Sequence, residues 1–160
     1  MTTGAVEGDW RIVEDDLSGA AIRALLEQHF AGMLANSPAG SCHFLDFDGL
    51  NAPDVTFWSI HEGDRLAGCG ALKMLDAAHG EIKSMRTADA VLRRGVAARM
   101  LEHIIAEAQH RGVGRLSLET GSGAAFEPAI ALYRRYGFAD CPPFACYKPD
   151  PFSRFMTCEI

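Results

Sequence analysis

Residues 81–120 read EIKSMRTADAVLRRGVAARMLEHIIAEAQHRGVGRLSLET. Glu81–Thr87 has the composition of a strand, and residues 88–94 form a loop. From Gly95 onward Ala97, Met100, Leu101, Ile104, Ile105 and Ala108 recur at helical spacing and make one apolar stripe. Arg111-Gly112 then gives a basic last turn followed by a glycine stop. A helix over 95–111 would be roughly 25 Å long at 1.5 Å per residue. Gly114 leads into Arg115–Thr120, a second strand. Strand, helix and strand in this order form a βαβ unit, which predicts two parallel strands joined by a right-handed crossover.

Upstream, Trp10–Val13 is a short strand. Asp15, Asp16 and Ser18 offer N-cap chemistry for a helix carrying Ile22, Leu25, Leu26, Phe30, Met33 and Leu34. Asn36, Ser37, Pro38 and Gly40 end it. Residues 41–54 read as a loop with one helical turn. Val55–His61 and Arg65–Leu75 form a hairpin across Glu62-Gly63-Asp64. Gly68 and Gly70 mark a bend or a close backbone neighbour. Downstream, Phe126–Tyr136 is a shorter helix stopped by Gly137, and Arg154–Ile160 is the best strand of a tail rich in Pro and Phe. Hairpins join the early strands and helices join the later ones. The fold class is therefore α+β, a mixed α/β sheet with helices on its faces. No linker, repeat or charge run divides the 160 residues, so one domain is expected over 1–160, with 1–8 loose.

The formal net charge is -6 and no basic block occurs, which disfavours nucleic acid as a partner. The 5 cysteines are odd in number and irregularly spaced. Cys42-His43 is the one adjacent Cys/His pair, and adjacent residues rarely converge on one metal, so neither a disulfide framework nor a metal site is expected. The start MTTGAVEGDW lacks the pattern of a signal peptide, and no apolar run reaches the ~20 residues that span a bilayer. The expected location is the cytoplasm, away from membranes.

The turn Arg93-Arg94-Gly95-Val96-Ala97-Ala98 hands a strand over to a helix. The first amides of a helix have no partner within it, and the helix dipole adds positive charge there. Small residues leave room for a phosphate to reach the bare backbone, and arginine can grip it with two donors. A diphosphate fits, and so does an ordinary helix start with solvated arginines. There is no GxGxxG and no GK[ST], so a dinucleotide fold or P-loop is disfavoured.

Leu92-Arg93-Arg94-Gly95-Val96-Ala97 resembles the acetyl-CoA motif of the GNAT acetyltransferase superfamily, Gln/Arg-x-x-Gly-x-Gly/Ala, and departs from it at Leu92. Downstream, Leu132-Tyr133-Arg134-Arg135-Tyr136-Gly137-Phe138 resembles the superfamily's Leu-Tyr-x-x-x-Gly-Phe segment. The small stand-alone bacterial YsnE-like members are the type it looks most like. The resemblance implies a central, mostly antiparallel sheet with one splayed parallel strand pair. It also implies transfer of an acetyl group from acetyl-CoA to a primary amine of a small molecule, amino acid or peptide by direct attack. A non-catalytic acyl-CoA-binding module with the same fold is the alternative.

Under the resemblance, Met85, Arg86, Thr87, Arg93, Arg94, Gly95, Val96, Ala97, Ala98, Phe126 and Tyr133 bind the coenzyme. Tyr133 is the acid for the leaving thiolate, with Tyr136 as fallback. Glu81 is the base, with Glu119 as second candidate and, together with His43, a substrate contact. Period-2 alternation would put Glu81, Lys83, Met85 and Thr87 on one face. Asp46 and Asp48 could attract a cationic amine. The strand at 154–160 could pair across a homodimer or form the edge of a monomer.

Overall fold

A computed structural model describes residues 9–41 and 43–160. The expectations for residues 1–8 and for Cys42 as a partner of His43 lie outside the described residues. Seven strands form one sheet in the order β1-β2-β3-β4-β5-β7-β6. They are β1 (Trp10–Glu14), β2 (Val55–Glu62), β3 (Arg65–Met74), β4 (His79–Thr87), β5 (Arg115–Thr120), β6 (Ala139–Asp140) and β7 (Arg154–Glu159). The helices are α1 (Ala20–Asn36), α2 (Phe47–Leu50), α3 (Val96–His110) and α4 (Glu127–Arg135). All strand pairs are antiparallel except β4 and β5, the two ends of the βαβ unit.

Side chains alternate across each strand, so the sheet buries a core on each face. On one face Trp58, Ile60, Leu72, Ile82, Leu116 and Leu118 pack with Met100, Leu101 and Ile104 of α3 and with Ile130 and Tyr133 of α4. On the other, Phe57, Cys69 and Ala71 pack with Ile22, Leu25 and Leu26 of α1 and with Leu50 at the end of α2. The glycines at 68 and 70 let α3 and β4 close on the first face. A Cβ at Gly68 would lie 2.6 Å from the Arg86 carbonyl oxygen, and one at Gly70 2.7 Å from Met100 Cγ.

The structure corrects four expectations. The α1 N-cap is Gly19 without a side-chain bond. Asp15 and Asp16 instead close turns of their own, accepting from the amides of Leu17 (2.8 Å) and Ser18 (3.0 Å). Leu34 is 62% exposed, and His29 takes the buried position on that helix. The alternation along β4 breaks at Ser84, whose φ of 56° forms a bulge where the register to β3 shifts. Finally, β7 is not the edge strand of the sheet. It pairs with β5 over all six of its residues and with the two-residue β6 on its other side.

Candidate active site

The parallel pair β4–β5 is joined at only three positions, His79↔Arg115, Gly80↔Leu116 and Glu81↔Ser117. Beyond them β4 follows β3 to Thr87 while β5 follows β7 to Thr120, so the two strands part. The base of the wedge is clamped across three strands: His79 Nε2 lies 2.6 Å from Ser117 Oγ, which lies 2.9 Å from Thr157 Oγ1. Above it opens a cavity of about 220 Å³, lined by β4 and β5, by His29, Gly32 and Met33 of α1, by His43, and by Phe126 and Tyr133. Backbone groups of β4 from Ile82 onward have no strand partner on this side, so main-chain donors and acceptors face the gap.

At the mouth of the wedge α3 begins. Gly95 caps it with φ 84°, in the left-handed region that suits glycine, and a Cβ there would meet nothing within 4 Å. The first helical bond runs from the Arg99 amide to the Gly95 carbonyl, 3.0 Å. The amides of Val96, Ala97 and Ala98 have no acceptor among the described residues, and no side chain caps them. Arg94 is already held: its guanidinium forks onto the Glu62 carboxylate at 2.6 and 3.2 Å and lies over the Trp10 ring. Arg93 makes no ion pair among the described residues. Leu92 is 53% exposed. The backbone of this turn is therefore open to an anion, while one of its two arginines is committed elsewhere.

The bulge at Ser84 sorts the other β4 residues. Met85 turns toward α3, its sulfur within 2.8 Å of where a Gly70 Cβ would sit. Arg86 turns to α1, its Nη1 3.7 Å from where a Gly32 Cβ would sit. The Arg86 side chain thus lies across the sheet from the helix start with which the sequence grouped it. Beside it the His29 ring is buried, and burial followed by the Arg86 charge lowers its pKa to about 4, so it is neutral at pH 7.

Tyr133 is 6% exposed, lines the cavity, and has no hydrogen-bond partner for its hydroxyl among the described residues. Burial raises the phenol's pKa, which keeps it a proton donor. Tyr136 is no substitute. Its hydroxyl is bonded 2.6 Å from Glu102 on α3, and it does not line the cavity. Phe126 lines the cavity and packs edge-on against Phe152. Asp46 is used as the cap of α2, accepting from the Gly49 amide at 2.9 Å.

Glu81 is 2% exposed and does not line the splayed cavity. Its Oε2 accepts from the Tyr147 hydroxyl at 2.5 Å and from Lys83 Nζ at 3.2 Å. Lys83 also donates to Tyr147 Oη (2.7 Å) and to the His43 carbonyl (3.2 Å). Tyr147, whose pKa is raised by burial and then by the Glu81 charge, packs edge-on against the His43 ring. This cluster divides the splayed cavity from a second one of about 910 Å³, bounded by Glu81, Tyr147 and the 145–150 segment. Glu119, in contrast, faces the splayed cavity, and burial raises its pKa from the ordinary carboxylate value. Lys83 and Tyr147 were not singled out from sequence. A mid-strand lysine flanked by polar residues and a tyrosine in a Pro-rich tail carry no local signal.

The Acetyltransferase (GNAT) family model matches residues 15–138, so the chain belongs to that family and is an acetyltransferase. It is 57% identical over 146 residues to the uncharacterized N-acetyltransferase YsnE of Bacillus subtilis, covering 91% of this chain and 97% of that protein. It is 56% identical over 149 residues to the uncharacterized N-acetyltransferase YedL of Escherichia coli, covering 93% and 94%. Among solved structures, a putative acyl-CoA N-acyltransferase of Klebsiella pneumoniae superposes with a TM-score of 0.77 at 26% identity, covering 95% of this chain and 98% of that one.

Proposed function

We propose that the protein transfers the acetyl group of acetyl-CoA to a primary amine by direct attack. The observation that carries this reading is the unpartnered run of amides at Val96, Ala97 and Ala98 beside the β4–β5 wedge. That helix start suits a diphosphate, and the open β4 edge suits an extended amide-bearing arm. Acetyl-CoA supplies the thioester carbonyl that the amine attacks. Main-chain amides of β4 near Met85 and Thr87 would receive the developing oxyanion.

Glu119 accepts the proton that the amine must lose, because it faces the cavity and burial raises its affinity for a proton. Glu81, the first choice from sequence, serves instead to hold Lys83 and Tyr147 in place. Tyr133 donates its hydroxyl proton to the departing sulfur as the carbon–nitrogen bond forms and the carbon–sulfur bond breaks. His43 borders both cavities and contacts the acceptor. The free thiols of Cys69, Cys141, Cys146 and Cys158 support a reducing, cytoplasmic setting.

Thiol release from acetyl-CoA across a panel of amines tests the reading. Glu119→Gln and Tyr133→Phe should each lower kcat by about 10²–10⁴-fold, the usual range for losing a general base or acid. Coenzyme binding without thiol release for any amine would instead mark a non-catalytic acyl-CoA-binding module.

A further inference from the structure

The face of the wedge nearest α1 carries charge at both ends. One end holds Arg86 beside the neutral ring of His29. The Arg86 Nε is buried and has no hydrogen-bond partner among the described residues. Its one ion pair, with Asp89, is long at 3.6 Å, and the other Asp89 oxygen is taken by Gln28 Nε2 at 2.8 Å. A buried guanidinium N–H without an acceptor is costly, and a carboxylate is the ligand whose geometry matches it with two parallel bonds. The other end holds Glu119, with Lys83 already neutralised by Glu81 at 3.2 Å, which leaves a negative balance there. The cavity of about 220 Å³ is below the ~300–1,000 Å³ of sites for drug-sized ligands. It suits a small dipolar molecule.

We infer that the acceptor is a free amino acid, whose carboxylate docks on Arg86 while its ammonium group faces Glu119. The inference rests on the acetyl-transfer reading above and narrows it: amines without a nearby carboxylate, including peptide N-termini, lack the group that Arg86 would bind. Among the described residues, no other lysine or arginine lining the cavity has an N–H without a partner. Lys83 already spends its ammonium on Glu81, Tyr147 and the His43 carbonyl.

The test compares alanine, methionine, phenylalanine and tryptophan, each beside its amide and its decarboxylated amine, as acceptors for the full chain with acetyl-CoA. At least one acid should exceed its amide and amine in kcat/KM by about 10–100-fold, the range for a charge-assisted pair. Arg86→Gln should collapse that ratio toward one, and Arg86→Lys, which keeps the charge without the fork, should give an intermediate ratio. Calorimetric titration of the acids into the CoA-loaded protein gives a second readout that needs no turnover. The proposal is overturned if amides and amines match the acids within about threefold. It is equally overturned if the ratio survives in Arg86→Gln, or if no acid is either acetylated or bound by the CoA-loaded protein. Absence of coenzyme binding would overturn the acetyl-transfer reading itself, a result the coenzyme titration reports separately.

Discussion

The Lys83–Glu81 pair lends itself to a double-mutant cycle. The two side chains are 9% and 3% exposed and lie 3.2 Å apart, so each charge is largely cut off from water. Removing one partner from a buried pair leaves the other charge uncompensated, at about 3–5 kcal/mol. Glu81→Gln should fall near the lower end, about 3 kcal/mol, because Lys83 keeps the Tyr147 hydroxyl and the His43 carbonyl as acceptors. Lys83→Met should fall higher, about 4 kcal/mol, since Glu81 then keeps only the Tyr147 hydroxyl. For a chain of 160 residues, each kcal/mol moves Tm by about 2–4 °C, so the singles should lose roughly 6–16 °C. The double variant removes both charges and leaves Tyr147 a neutral acceptor. Its loss should be smaller than that of either single, a coupling of several kcal/mol against additivity. Urea unfolding of the four proteins, extrapolated linearly to water, measures the cycle. Additivity within about 0.5 kcal/mol would refute the claim that the two charges sustain each other in a dry site.

Three shorter tests follow from other parts of the fold. Gly95→Ala should cost about 1–2 kcal/mol through its left-handed backbone alone, since a Cβ there meets no atom within 4 Å, and should weaken coenzyme binding in calorimetry; unchanged affinity would mean the diphosphate sits elsewhere. Gly70→Ala places a Cβ 2.7 Å from Met100 Cγ and 2.8 Å from Met85 Sδ, so it should lose about 1–3 kcal/mol in urea unfolding with the coenzyme turn untouched. His29, whose folded pKa is about 4 against an ordinary 6.5, takes up its proton more readily in the unfolded chain; stability is therefore full above pH 6.5 and falls between there and about pH 4, by up to about 3 kcal/mol. His29→Gln should flatten that decline, and an unchanged slope would show that the ring is not the group responsible.

The parts of the molecule that sequence made legible are those whose signals are local. The stripe of Met100, Leu101, Ile104 and Ala108 and the glycine at 95 place α3 to within a residue at each end, because helical periodicity and a left-handed cap are written in adjacent residues. The hairpin read as Val55–His61 and Arg65–Leu75 was equally clear from its turn and lies within a residue of the strands Val55–Glu62 and Arg65–Met74. What escaped depends on distant residues meeting. Lys83 and Tyr147 are 64 positions apart, and their hydrogen bond has no trace in either neighbourhood. The bulge at Ser84 carries no glycine to announce it, yet it exchanges the faces that Met85 and Arg86 would take under unbroken alternation and so decides which side of the sheet the guanidinium serves. The place of the final strand inside the sheet was not legible, because nothing local reveals that the 139–140 segment lies outside it.

The three-residue seam between β4 and β5 also bears on how the sheet breathes. Four strands lie on one side of it and three on the other, and few main-chain bonds cross the line. Partial opening concentrates where backbone bonding is sparse, so amides of Ile82–Thr87 and Leu118–Thr120 should be the first in the sheet to exchange with deuterium. A guest lodged along that line would stitch the two panels together, and slower exchange on both sides at once would be its signature.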